Sequence, residues 1–373
     1  MLIRKMIKFH ADRNILFSEV EGIVSNKEKL ISLINKEYSS KEITLTNYGR
    51  TAFQLILDRY NLKNCRIMIP AFICSVFVEI FKENNITPVL IDVEKDTFNI
   101  SPRTLRKGYD KTARALIVNH MNGLPCEVEL LKKILNKNQI LIEDCAHSLG
   151  AVHNKKKVGT FGDASFFSLY KSLPSISGGF ALTSGNLKKL NSDKNPSLLS
   201  LGYYLGKNAN FIKNFKRDKG LYEQDLIYEN IRLKGISYVS EKIASYYFKN
   251  IKKIIISKRK IAKILRTALD GKVELQADSK NEHVYTYFSF LLPKEIASKR
   301  LRFLEILRRN GVIGRIIWNK PLNNYFSNQC PNAKEISERI VGVPLNYHYS
   351  IMDSKRLATI VQESLRDLES ESE

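Results

Sequence analysis

The sequence predicts an α/β protein: a doubly wound, mostly parallel sheet followed by a smaller α+β C-terminal domain. Three observations carry this. From about residue 43 to 185, apolar runs of strand type alternate with helical periods, and strands separated by helices pair in parallel. From residue 186 the alternation stops and gives way to a polar stretch and long basic helices. Beyond residue 270 a strand and two helices make a separate, smaller pattern. The chain has 373 residues, 43% hydrophobic and 26% charged, which is enough for two domains and is globular in composition.

The elements follow in order. "KEITLTN" reads as a strand, and "TAFQLILDRY" as a helix with Ala52, Phe53, Ile56, Leu57 and Tyr60 on its apolar face. "TPVLIDV" is a strand, after which Ser101 at the N-cap and Pro102 at the first helical position open a helix. "RALIVNH" is a strand, "CEVELLKKIL" a helix and "QILIEDCA" a strand, with "SFFSLY" and "GGFALTS" as two more. The polar "NLKKLNSDKNPS" leads to basic helices ending in "KNIKKIIISKRKIAKILRTAL". "HVYTYFSFLLP" is a strand, "KRLRFLEILRRNGV" a helix ending at Gly311, and "SIMDSKRLATIVQESLRDL" a final helix. The expected division is a large domain over 1–255, with an N-terminal arm and a helical insertion at about 186–255, and a small domain over 256–373. A cleft between them is the natural place for a site.

Bulk properties narrow the function. The opening "MLIRKMIKFHADRNILF" lacks the apolar core and cleavage site of an export signal. The longest apolar run, Ile67 to Phe81, contains Pro70 and Glu79 and is short of the ~20 residues of a spanning helix. Five cysteines at scattered spacings suggest neither a zinc site nor a disulfide framework, so a cytoplasmic protein without a bound metal is expected. The formal charge of +22 would attract anions, including nucleic acid, an anionic membrane or a diphosphate. The lysines are spread along the chain rather than gathered in a tail, which favours a compositional origin with anion steering as a by-product.

Three stretches can carry chemistry where loops converge above the sheet. In "NYGRTAF", Gly49 lets a strand turn into a helix whose first N–H groups can bind phosphate, with Arg50 and Thr51 adding donors. Such turns are common, and most bind nothing. In "ILIEDCAHSLG", an apolar strand ends in Glu143-Asp144, with His147 three residues on. The carboxylate is either a helix cap or a group that fixes a protonated ring nitrogen. In "FFSLYKSLPSISGGFALTS", Lys171 follows Ser168 and precedes the turn Gly178-Gly179. It is either a solvated turn lysine or a partly desolvated amine suited to Schiff-base chemistry. The order decides: a phosphate turn, then an aspartate, then a lysine 27 residues later (171 − 144) is the layout of a pyridoxal-phosphate (PLP) enzyme of the aspartate-aminotransferase fold type.

The sequence resembles the DegT–DnrJ family of PLP-dependent sugar-nucleotide aminotransferases from about Asn47 to the C-terminus, most strongly over 47–185. "YGRTAFQLIL" is similar to the family's "SGTAAL" turn, "LIEDCAHSLGA" to "VIEDAAQALGA" and "GTFGDASFFSLYKSL" to "GSFGDAGCFSFYPTKNL". "VNHMNGLPCEVELL", "RRNGVIGRIIW" and "RIVGVPLNYHYS" match further blocks. The resemblance implies a large PLP-binding domain in which Lys171 is the catalytic, Schiff-base lysine. Asp144 would pair with the pyridine nitrogen, and His147, in the family's Gln position, would lie near the ring hydroxyl. Gly49, Arg50, Thr51 and Ser168 would hold the phosphate, and Cys74 falls where relatives place a stacking aromatic. It also implies transfer of an amino group, from glutamate, to a keto-sugar nucleotide for polysaccharide or other amino-sugar biosynthesis. A cytoplasmic homodimer is implied too, with no nucleic-acid partner and no membrane span. Arg50, Arg315 and the 251–266 helix are candidates for meeting a nucleotide diphosphate.

Beside Cys74, two features depart from the family pattern. Lys171 lies three residues after the serine rather than five, and Lys155, Lys156 and Lys157 look like an exposed turn. The family's Asn-x-Arg motif, expected near "GISYVSEK", has neither residue here. A PLP-dependent sugar dehydratase shares the fold with histidine in the lysine's place, so Lys171 speaks against it. A non-catalytic basic binding protein on the same scaffold is opposed by the intact lysine, aspartate and phosphate turn.

Overall fold

The computed structural model describes residues 19–39, 41–192, 233–278, 282–318, 320–326 and 330–371. The opening stretch read above as lacking an export signal, and 193–232 of the expected insertion, lie outside these residues. No helix among the described residues is long and apolar enough to cross a membrane.

Strands β1 (Glu42–Thr46), β2 (Arg66–Pro70), β3 (Thr87–Ile91), β4 (Ala115–Asn119), β5 (Ile140–Asp144), β8 (Ala164–Ser168) and β9 (Gly179–Thr183) form one sheet in the order β1-β9-β8-β5-β4-β2-β3. All run parallel except β9, which is antiparallel to both its neighbours. Strands β4, β8 and β9 are buried along their whole length, as expected of a sheet covered on both faces. Between β5 and β8 a short hairpin of β6 (Val152–His153) and β7 (Lys156–Lys157) turns through Asn154 and Lys155, both at positive φ. Lys155 and Lys156 are exposed on it, and Lys157 pairs with Glu37 at 2.6 Å.

The apolar run from Ile67 to Phe81 is two elements. Its first part is β2, inside the sheet, and its second is the helix Val76–Glu83, which buries Phe77, Val78, Ile80 and Phe81. Pro70 closes the strand, where its missing N–H costs no ladder bond. Ser101 caps the helix Pro102–Gly108 in a capping box with Thr104. "SFFSLY" is not strand throughout: β8 stops at Ser168, and Leu169–Ser172 make a single helical turn.

Beyond residue 232, the helices Tyr238–Lys249 and Ile251–Leu269 follow in succession. The second runs unbroken through the expected domain boundary at 255/256. Ile251, Ile254 and Ile255 pack with the large domain's Phe167, Phe180 and Leu182, while Ile261, Ala262, Leu265 and Leu269 pack in the C-terminal core. That core is covered by the helices Arg300–Arg309 and Ile351–Ser370, the latter capped by Ser350 and Asp353. It stands on a small antiparallel sheet of β10 (Glu274–Leu275), β11 (Phe288–Leu291) and β12 (Ile340–Val343). The predicted strand "HVYTYFSFLLP" is shorter than its apolar pattern because Tyr285 has φ +49, which no strand accommodates. Ile317, Trp318, Leu322, Ala333 and Ile336 return to the core of the large sheet, although they lie beyond residue 256.

Candidate active site

The parallel strands end at a common edge, and the candidate residues gather there. Gly49, Arg50, Cys74, Asp144, His147, Ser168 and Lys171 all line one open cavity with about 810 Å³ of empty space counted out to its mouth. Thr51 does not line it: the Thr51 hydroxyl donates to Asn47 Oδ1 at 2.6 Å and so braces the turn from behind.

The turn is built from two strand ends and a helix start. Tyr48 is the extended N-cap of the helix Gly49–Arg59, and its carbonyl accepts the N–H groups of Thr51 and Ala52. The N–H groups of Gly49 and Arg50, ahead of them, have no intrahelical acceptor. Gly178, at φ +121, donates its N–H to the Asn47 carbonyl at 2.6 Å. A Cβ on Gly179 would lie 2.5 Å from Gly49 N and 2.7 Å from the Phe167 carbonyl, so only glycine lets β9 approach the turn. A Cβ on Gly49 would crowd the Phe167 carbonyl at 3.1 Å and Ser168 Cβ at 3.4 Å. Ser168 Oγ is buried there without a hydrogen-bond partner among the described residues. Arg50 lies over the Tyr48 ring at 4.3 Å, and Tyr170 meets that ring edge-on at 6.0 Å.

The lysine and the aspartate meet at the centre. Lys171 is half-buried in the single helical turn after β8, with Nζ 3.3 Å from His147 Nε2. His147 is fixed by rings, stacked on Trp318 at 5.2 Å and 21° and meeting Tyr287 edge-on at 5.3 Å. Asp144 accepts the Ala146 N–H at 2.9 Å, which turns the chain towards His147. Burial pushes the Asp144 carboxyl above its ordinary value, and the Ala146 N–H, Lys171 and His120 pull it back only in part.

Glu143 points its carboxylate elsewhere, as strand alternation requires. It accepts the N–H groups of Gly159, Phe161 and Gly162 at 2.8, 2.8 and 2.6 Å, and His120 Nε2 lies 3.3 Å away. Burial raises its pKa, but His120 and these amides outweigh burial and hold it below the ordinary value. His120 Nδ1 accepts the Cys126 N–H, so in the neutral ring the proton sits on Nε2, towards Glu143. His120, Glu143 and Cys145 bring three metal-type ligand atoms within 4.8 Å of one another. Both Glu143 oxygens already serve backbone amides, so the cluster works as a brace.

Sequence reasoning missed several cavity residues. Asn119 ends β4 in register with Asp144 at the end of β5, and both atoms of its amide are buried without a partner among the described residues. Its signal was available, a polar residue closing an apolar strand. His120 and Trp318 also line the cavity. The carried-over candidates for a diphosphate divide: Arg50 lines the cavity, whereas Arg315 lies over the Tyr287 ring at 5.5 Å and outside the lining. The segment where the family's Asn-x-Arg was expected begins the helix Tyr238–Lys249, capped by Ser237.

These residues fit pyridoxal phosphate. The orphaned Ser168 hydroxyl and the helix N-terminus at the glycine turn suit a phosphate, and the buried Asp144 suits a protonated ring nitrogen. Lys171, in the same cavity, offers an amine of the kind that covalent attachment of this cofactor needs. The combination of fold and cavity therefore defines a PLP-dependent transferase of the aspartate-aminotransferase fold type.

Comparison with known proteins narrows this further. The model of the DegT/DnrJ/EryC1/StrS aminotransferase family matches residues 29–363, and the chain belongs to that family. It is a PLP-dependent sugar transaminase. A GDP-perosamine synthase of Vibrio cholerae is 26% identical over 339 residues, covering 88% of this chain and 85% of the relative. A Streptococcus pneumoniae protein assigned as a sugar aminotransferase, solved in its PLP form, superposes with TM-score 0.74 at 15% identity, covering 96% of this chain and 98% of the other. A GDP-4-keto-6-deoxy-D-mannose-3-dehydratase of E. coli with bound hydrated PLP superposes with TM-score 0.71 at 18% identity, covering 95% and 99%. The last two show the fold alone.

Proposed function

We propose that this enzyme moves an amino group from an amino acid, glutamate in the first instance, to the keto carbon of a nucleotide-linked sugar for polysaccharide or other amino-sugar biosynthesis. One observation carries the reading. A lysine amine, not a histidine, occupies the cavity beside Asp144 and the glycine turn, with His147 Nε2 3.3 Å from it. That separates transamination from dehydration on the same scaffold. It also opposes a purely binding role, for which a lysine beside an aspartate and a phosphate turn would be unnecessary. The perosamine synthase relative supports a nucleotide sugar as acceptor.

Bound PLP supplies an electron sink for the carbanion formed at the substrate carbon. The chain's own residues do the rest. Ser168 Oγ and the Gly49 and Arg50 amides would anchor the phosphate, and the Asp144 carboxylate would hold a proton at the ring nitrogen by a charge-assisted hydrogen bond. His147 Nε2 holds Lys171 Nζ in place. Lys171 Nζ takes the proton from the donor's Cα and later returns one at the carbon that receives the amine. Arg50 is the cation at hand for an anionic substrate group. A cytoplasmic homodimer belongs to the same proposal, and light scattering showing a single-chain particle would remove the dimer from it.

The test is an absorbance spectrum of the protein with PLP, beside Lys171→Ala. A band at about 410–430 nm that borohydride abolishes and the variant lacks is expected, with bleaching on addition of glutamate. A wild type with no such band refutes the reading. A band that glutamate leaves untouched removes the proposed donor and leaves the covalent lysine standing.

A further inference from the structure

The residues assigned to the cofactor all come from the chain between Gly49 and Lys171. Trp318 is the one described cavity-lining residue that follows Lys171 in the chain, and it is the chain's single tryptophan. Its ring is held on two sides, stacked on His147 and meeting Phe72 edge-on at 5.3 Å and 61°. The side chain is 7% exposed, yet its Nε1–H has no hydrogen-bond partner among the described residues. Its backbone sits at φ +48, a left-handed conformation that a bulky residue rarely adopts. An indole kept in a strained backbone with its one polar atom unpaired is costly, and such features concentrate at ligand sites.

We propose that Trp318 recognises the acceptor sugar: its Nε1–H donates to a sugar oxygen. This rests on the reading of the preceding section. The indole nitrogen can only donate, so its partner must be an acceptor atom. Anionic groups have stronger partners in the same cavity: a phosphate has the glycine turn and Ser168, and a carboxylate has Arg50. What suits Trp318 is a neutral acceptor oxygen, since the indole offers a single uncharged donor. Position agrees. Only the His147 ring separates Trp318 from Lys171 Nζ, so a sugar whose reacting carbon takes its proton from that amine has its neighbouring ring atoms near the indole.

The experiment compares the holoenzyme with Trp318→Phe, which keeps a ring and removes the donor, and Trp318→His, which keeps a planar N–H. Acceptors are the GDP-, UDP- and dTDP-linked 4-keto-6-deoxyhexoses. Trp318→Phe, whose ring can keep the stack on His147, should raise KM for the accepted sugar about tenfold, the loss of one hydrogen bond, while the glutamate half-reaction slows by much less. Trp318→His should recover part of the loss. Independently of turnover, the single tryptophan of the cofactor-free wild type should shift its emission with the accepted nucleotide sugar and not with the corresponding free nucleotide. The proposal fails if KM is unchanged, if both half-reactions fall together, or if the free nucleotide shifts the emission equally. A wild type that reacts with glutamate but accepts no member of the panel overturns the keto-sugar reading itself, and this inference with it.

Discussion

Ser168→Ala separates the cofactor reading from a structural one, because the two predict opposite patterns. In the structure Ser168 Oγ is buried at the end of β8 and bonds to nothing among the described residues. Removing one oxygen while keeping Cβ therefore breaks no intramolecular hydrogen bond and leaves no partner stranded. The cofactor-free variant should melt within about 1 °C of wild type, since substitutions that sever nothing stay within about 0.5 kcal/mol. With PLP present the same oxygen would serve a phosphate, and a hydrogen bond to a charged group contributes about 1.5–3 kcal/mol. At about 1.4 kcal/mol per decade, cofactor affinity should fall roughly 10- to 150-fold. The assay pairs thermal unfolding of the cofactor-free protein with a PLP titration followed by absorbance. A variant that melts much lower without PLP would show the hydroxyl to be structural. One that binds PLP within threefold of wild type would remove Ser168 from the phosphate site.

Two further outcomes concern the neighbouring carboxylates. Glu143→Gln turns one acceptor oxygen into a donor facing a backbone N–H, and removing half of a buried charged arrangement costs about 3–5 kcal/mol. At about 2.1 cal/mol/K per residue, that lowers the melting temperature of a chain this size by roughly 4–6 °C at pH 7. Glu143 is held below its ordinary pKa, so its stabilisation is present above the unfolded value and lost as pH falls through the folded one; calorimetry should show the gap closing in acid, and a gap that widens would contradict the assignment. Asp144 has the reverse sign: burial raises its folded pKa, so its ionised form opposes folding as pH rises through that value. Asp144→Asn should therefore raise the melting temperature of the cofactor-free protein at pH 8 more than at pH 4 while it weakens PLP binding. A larger gain at pH 4 would refute the sign.

The sequence disclosed the sheet through its periodicity, and the reason it did so is local. Strands such as Ala115–Asn119 and Ile140–Asp144 are short, apolar and closed by a polar residue, and the Ser101 cap is written in adjacent positions. The strand Arg66–Pro70 escaped because its apolar residues run on past Pro70 into a helix, with no polar break to divide the two. Lys171 was legible from the order of motifs, although the helical turn that carries it was not. Trp318 was quoted only as part of a matching block. Its meeting with His147 depends on the return of 317–336 to the large core, and no pattern near either residue announces that contact. Thr51 went the other way, since its place in a phosphate turn suggested a ligand donor and the fold gave its hydroxyl to Asn47.

The end of β5 shows why adjacent carboxylates should not be read as a pair. Alternation along a strand sends Glu143 and Asp144 to opposite faces, and each face sets a different environment. Glu143 meets three backbone N–H groups of the 159–162 turn and stays charged, so it fixes the chain that leads into β8. Asp144 meets one N–H and the cavity, so burial raises its proton affinity. The strand whose entry Glu143 fixes ends in Ser168 and leads directly to Lys171. A shift of the 159–162 turn would therefore move the phosphate hydroxyl and the amine together, relative to an Asp144 that stays in place. In Glu143→Gln protein that still folds, cofactor affinity and lysine reactivity should decline together, which binds the structural carboxylate to the chemistry of its neighbour.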